Sequence, residues 1–191
     1  MDRRTSIISI FSLGVLGVSS FSVYEWFNYN HKIDFRLLAE RKKTIAELAE
    51  VIIPRTDTPG AKDAKVEDYI LNVLEFCTLP REQHFFLNGL IDLEKYAVDK
   101  YNNNFNNCTK SQKIVIVKHF EEKSTYKVAI IDKINKKIIG QPFFSNLKQL
   151  TIEGYCQSKV GATQGLAYDY IPGSFSACIP LTKNQRAWAT K

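Results

Sequence analysis

The sequence contains no Cys-x-x-Cys pair, no Cys-x-x-Cys-His and no His-Glu-x-x-His. These absences exclude covalent haem attachment and argue against structural zinc, which needs clustered thiolate or imidazole ligands. The three histidines (His31, His84, His119) lie far apart. No Gly-x-Gly-x-x-Gly follows a strand-like run, and there is no phosphate loop and no Gly-x-Ser-x-Gly elbow, so dinucleotide folds and α/β-hydrolases are not indicated. Adjacent carboxylates such as Glu67-Asp68 and Glu121-Glu122 would point apart on a helix and form no acid/base pair. Nine glycines and six prolines are too few for a collagen-like or linker protein. There is no Arg-rich block: 26 Lys+Arg are interleaved with 20 Asp+Glu, for a net charge of +6. Nucleic-acid recognition needs clustered positive charge, so it is not expected.

What remains is a chain of 191 residues, 45% hydrophobic and 24% charged, which fits one globular domain with appendages. Its first 27 residues stand apart. Arg3 and Arg4 precede an apolar, Ser- and Gly-containing stretch, and no charge falls between Arg4 and Glu25. This reads as an export signal of the twin-arginine type, which carries folded proteins. The alternatives are an uncleaved membrane anchor, because Thr5 to Tyr24 is long enough to span a bilayer, and a cytosolic helix. The export and anchor readings put the body in the periplasm, free or attached to the inner membrane through the N-terminal segment. In that oxidising compartment Cys77, Cys108, Cys156 and Cys178 could form disulfides or remain buried thiols, with no pairing specified. Cys77 reads as buried, because it continues an apolar helix face.

Residues 35–155 are expected to form a mainly α, compact domain of about five helices. Leu38, Ile45, Leu48 and Ile52 share one face of a helix over 35–53 that Pro54 stops. Asp63 is placed to cap a second helix, with Val66, Tyr69, Ile70, Val73, Leu74 and Cys77 as its stripe. Pro80 opens a third, running to about Tyr101 with Phe85, Phe86, Leu90, Leu93, Tyr96 and Ala97 inward. After the Asn-rich loop 102–107, Thr109 and Gln112 have capping-box spacing for a fourth helix carrying Ile114, Val117 and Phe120 or Ile116. Val128–Ile139 is ambiguous, and Pro142 opens a last helix.

Residues 156–191 form a long irregular extension punctuated by Gly and Pro. It is too aromatic for ordinary disorder, so it either wraps its own core or lies against another protein. Aromatic and Arg side chains dominate interface energetics. The expected partner contacts are therefore Tyr155, Tyr168, Tyr170, Phe175, Arg186 and Trp188, with Cys178 placed for an interchain disulfide. Thr56, Asp57 and Thr58 are expected to fix their loop rather than bind a ligand.

Several segments together resemble the small third subunit of the gluconate 2-dehydrogenases and related sugar dehydrogenases. They are Leu48-Ala49-Glu50-Val51-Ile52-Ile53-Pro54-Arg55-Thr56-Asp57-Thr58-Pro59-Gly60-Ala61, then Gly154-Tyr155 through Val160-Gly161-Ala162-Thr163 to Tyr168. Ile171-Pro172-Gly173, Cys178-Ile179-Pro180 and Arg186-Ala187-Trp188-Ala189 complete them. The resemblance implies a non-catalytic accessory subunit with no cofactor of its own. Its implied partner is a large FAD-containing flavoprotein of the glucose–methanol–choline type that oxidises a sugar or sugar acid. A cytochrome c subunit can accept the electrons, and the small subunit would supply the twin-arginine export signal and support maturation. Two other readings stay open: a membrane-anchored envelope protein without a redox partner, and an independent periplasmic enzyme with an unrecognised site.

Overall fold

The computed structural model describes residues 31–124, 141–171, 173, 178, 180 and 183–189. The export-signal reading of residues 1–27, the ambiguous stretch 128–139 and Phe175 lie outside the described residues. Among the described residues the architecture is helical, with one isolated β-bridge. The helices are α1 (Arg36–Ala39), α2 (Lys42–Ile52), α3 (Val66–Phe76), α4 (Pro80–Tyr101), α5 (Lys110–Ser124) and α6 (Phe143–Gln157). A 3-10 turn (Phe105–Asn107) joins α4 to α5, and a π turn (Gly161–Gly165) follows α6. None of the described helices is long and apolar enough to cross a membrane.

Helix α6 is the hub, packing against α2, α3, α4 and α5. The core between them is aliphatic and aromatic: Ile45 and Leu48 from α2, Ile70 and Leu74 from α3, Leu90 and Leu93 from α4, Ile116 from α5 and Leu147 from α6 are fully buried. Full burial of one such side chain is worth about 1.5–3 kcal/mol. The long helix α4 comes close to α6 at Gly89, where an added Cβ would overlap the Phe143 ring.

Local signals set most of the boundaries. Pro80 occupies the start of α4, where its missing N–H costs no hydrogen bond. Asn102 ends α4 in the left-handed region (φ 49°), a stop that Asn tolerates because its short side chain can bond locally. The capping box before α5 forms: the Thr109 amide donates to Gln112 Oε1 at 2.9 Å, and the Gln112 amide to Thr109 Oγ1 at 3.4 Å.

Four expectations are corrected. The helix over 35–53 breaks before Lys42, which lets Leu38 turn into the core while Arg41 Nε reaches Glu94 Oε2 at 3.1 Å. Asp63 does not cap α3. Residues 61–65 make a turn of their own ending at Lys65 in the left-handed region (φ 52°), and the Asp63 carboxylate accepts from the Gly60 amide at 3.0 Å. Cys77 is exposed, because α3 ends at Phe76 and the chain turns outward towards α4. Ile114 is 38% exposed, and the inward positions of α5 are Lys113, Ile116 and Val117.

A partly buried polar brace crosses the core edge. Lys113 Nζ donates to Glu47 Oε2 at 2.9 Å and to the Asn106 carbonyl at 3.1 Å, and lies over the Phe105 ring. Lys62 pairs with the other Glu47 oxygen. Burial raises the Glu47 carboxyl, but hydrogen bonds from Lys62 and Lys113 outweigh it and hold the group below its ordinary value.

Candidate functional site

The segments singled out in the sequence meet at one end of the bundle, where α3 begins and α6 ends. The link from α2 to α3 is closed by its own backbone, the Ala61 amide donating to the Ile53 carbonyl at 2.9 Å. Glu50, on the last turns of α2, holds both sides of the loop: Oε1 accepts from the Arg55 amide at 2.9 Å and Oε2 from the Lys62 amide at 3.0 Å. Gly60 is required here, since an added Cβ would meet the Glu50 carboxylate and the Arg55 amide.

Within the loop, the Thr56 amide donates to the Thr58 carbonyl at 3.0 Å, and Thr56 Oγ1 donates to Asp57 Oδ1 at 2.9 Å. The Thr56 hydroxyl, with the Asp57 and Thr58 amides and the nearby Arg186 charge, holds the Asp57 carboxyl below its usual range. Arg55 pairs with Asp63 at 3.6 Å. The Thr-Asp-Thr run is thus an internally bonded turn, as expected of a structural loop.

Tyr155 ties this loop to α6. Its ring is 7% exposed and its hydroxyl donates to the Pro59 carbonyl at 2.7 Å. Burial pushes the phenol above its ordinary pKa. Gly165 passes so close that an added Cβ would overlap the Tyr155 hydroxyl. The expected partner role of Tyr155 is therefore corrected: it is a packed tyrosine whose polar end bonds inside the chain.

The C-terminal segment is stitched to the same place. The Ala167 amide donates to the Ala187 carbonyl at 2.9 Å, and the Ala189 amide to the Ala167 carbonyl at 2.8 Å, a parallel bridge of Ala167 with Trp188. Arg186 Nη1 donates to the Gln164 carbonyl at 3.0 Å. Around this stitch the aromatic and aliphatic side chains stay outward: Tyr170 is 85%, Ile171 77%, Tyr168 42% and Trp188 39% exposed. Cys178 is exposed as well. Beside them, Arg55, Thr56, Asp57, Thr58, Asp63 and Gln164 line an open polar depression of about 440 Å³. Chemically the arrangement offers a hydrogen-bonding depression flanked by exposed rings. Among the described residues no three His, Cys, Asp or Glu side chains come together as a metal-ion site.

Of the residues predicted as contacts, Tyr168, Tyr170, Arg186 and Trp188 are thus brought together and Tyr155 is turned inward. Glu50, which closes the loop, gave no warning in the sequence: its partners are backbone amides set by the fold. Lys113 had a signal, since it shares a helix face with the inward Ile116 and Val117.

Residues 39–173 match the family model described as gluconate 2-dehydrogenase subunit 3. The match covers the loop, α6 and the π turn, and most of the chain, so the protein belongs to the gluconate 2-dehydrogenase subunit 3 family. That family makes it a subunit, with other subunits as its partners. No curated protein and no solved structure matches the chain.

Proposed function

We propose that this chain is the non-catalytic accessory subunit of an FAD-dependent sugar or sugar-acid dehydrogenase, and that it docks the flavoprotein through the loop–ribbon end, where the loop 54–61 meets the C-terminal ribbon of residues 164–171 and 183–189. The observation that carries the reading is the exposure of Tyr168, Tyr170, Ile171 and Trp188 beside a fully bonded loop. A chain covering only its own core would bury such rings, whereas interface hot spots are rich in Tyr, Trp and Arg. The stitch of residues 186–189 onto 164–167 fixes part of that surface before a partner arrives, which lowers the ordering cost of association. FAD belongs to the partner in this reading, and electrons pass from it to a cytochrome c subunit. In this reading Cys178, which is exposed, is the candidate for a disulfide to the partner chain.

Export follows from the same reading. A flavoprotein that folds around FAD in the cytoplasm needs a carrier of folded cargo, and Arg3 with Arg4 would supply the signal to the twin-arginine machinery, delivering the complex to the periplasm. Two measurements test this. Tagged full chain isolated from its own cells in mild detergent should bring down a larger polypeptide with flavin absorbance, and a single band without flavin contradicts the reading. Replacing Arg3→Lys and Arg4→Lys should leave both subunits in the cytoplasm. A flavoprotein still reaching the periplasm contradicts the escort role.

A further inference from the structure

A second exposed apolar surface lies at the opposite end of α3. Phe76 and Leu79, in the turn from α3 to α4, are 76% and 68% exposed, with the exposed Cys77 between them. The turn itself is held by other groups: Thr78 Oγ1 donates to the Val73 carbonyl at 2.9 Å and Gln83 Nε2 to the Leu74 carbonyl at 2.6 Å. Phe76 and Leu79 therefore project from a rigid corner without contributing to it. Large apolar side chains presented together in this way mark a contact surface.

The path of the chain indicates what covers it. His84, on the first turns of α4, donates from Nε2 to the His31 carbonyl at 2.9 Å. His31, the first described residue, therefore lies on the α4 side of this corner. In the sequence the N-terminal segment is uncharged from Thr5 to Tyr24, a length that as a helix spans the ~30 Å hydrocarbon core of a bilayer. The stretch ends in Tyr24, and after Glu25 come Trp26, Phe27 and Tyr29 before His31. Amphipathic rings of this kind settle at the headgroup level of membranes. From Tyr29 to His31 an extended chain reaches at most about 7 Å, so a ring at position 29 settling at the headgroup level would bring this corner close to that level.

We propose that the Phe76–Leu79 corner rests on the lipid surface, seating the body against the bilayer when residues 5–24 are inserted. The proposal rests on insertion of that segment, and it is independent of the docking role of the other end. Charges near the corner balance, Lys32 and Arg81 against Glu75 and Glu82. Apolar burial rather than attraction to anionic lipid is therefore the driving force, and contact changes little with salt.

The test uses the full chain carrying Cys156→Ser and Cys178→Ser, so that Cys77 takes an environment-sensitive fluorophore. The chain is reconstituted into phosphatidylcholine vesicles containing a lipid spin-labelled near its headgroup. The Cys77 label should shift to shorter wavelength and be quenched several-fold more than a label at Lys159→Cys placed in a Cys77→Ser background. Phe76→Ser with Leu79→Ser should remove the shift while the chain still sediments with the vesicles after carbonate washing. Equal quenching at the two positions overturns the proposal, as does an unquenched Cys77 label in a chain that sediments. Loss of flavin co-purification in Phe76→Ser with Leu79→Ser also overturns it, by assigning the corner to a protein. None of these vesicle readouts involves the flavoprotein, so the docking reading stands or falls separately.

Discussion

The two ends of α3 lie about 15 Å apart along the helix axis and solve different problems. At the Val66 end, polar side chains are used almost entirely within the molecule. Glu50 holds two amides, Asp63 a third, and Tyr155 bonds the Pro59 carbonyl. At the Phe76 end the turn is bonded just as firmly, yet its two apolar side chains face outward. Both ends therefore present exposed apolar groups on rigid supports, and their surroundings distinguish them. One set sits beside a polar depression and the returning C-terminus, the other beside His31, where the described chain begins. A polar rim around apolar anchors is the anatomy of a protein interface. An apolar corner flanked by balanced charges, on a chain whose N-terminal stretch 5–24 is uncharged, suits lipid.

The largest effect should come from the residue that unites the loop end. Tyr155→Ala removes a buried ring, and thermal or urea unfolding should show a loss of about 3–5 kcal/mol. Tyr155→Phe keeps the ring and should cost only about 1 kcal/mol. Equal losses would mean that the bond to Pro59, not packing, holds the end together. Next, Tyr170→Ala or Trp188→Ala should weaken partner binding by about 2 kcal/mol, or roughly 30-fold, with the Tm unchanged. A fall in Tm without a fall in binding would make the ribbon a cover for its own core.

Smaller effects concern the brace that belongs to neither end. Lys113→Ala should cost about 1–2 kcal/mol in denaturant unfolding, because it strips a hydrogen bond from the half-buried Glu47. The Glu47 carboxyl is held below its ordinary value of 4.5, so its stabilising contribution is complete above that pH and is lost as pH falls through the depressed pKa. The stability gap between wild type and Glu47→Gln should accordingly close on acidification. A gap that widens would reverse the assigned direction. Smallest of all, Ile152→Ser on the outer face of α6, where Ile152 is 45% exposed, should change stability by no more than about 0.5 kcal/mol and leave partner and vesicle binding intact.

What the sequence disclosed was local or periodic. Pro80, the Thr109–Gln112 box and the pause at Asn102 act through neighbouring backbone, so they could be read without knowing the fold. The self-contained Thr56-Asp57-Thr58 turn was legible for the same reason. Missed features depend on distant partners. Asp63 had the chemistry of a cap, but the left-handed Lys65 put the start of α3 beyond its reach. Phe105 reads as part of an Asn-rich loop, yet it is 1% exposed because the 3-10 turn packs against α2 and α4, with Lys113 over its ring. Tyr155 was recognised as belonging to the site, but its orientation was set by the Pro59 carbonyl, 96 residues earlier in the chain. The helical core also extends slightly beyond residue 155, since α6 runs to Gln157 and the π turn to Gly165.

The most direct test is a parallel purification of three tagged full-length chains from their own cells in mild detergent, with flavin absorbance measured in each eluate. Wild type and Phe76→Ser/Leu79→Ser should retain the flavin, and Tyr170→Ala/Trp188→Ala should lose it. Flavin retained by the ribbon variant, or absent from all three, would contradict the assignment of the loop–ribbon end to the flavoprotein.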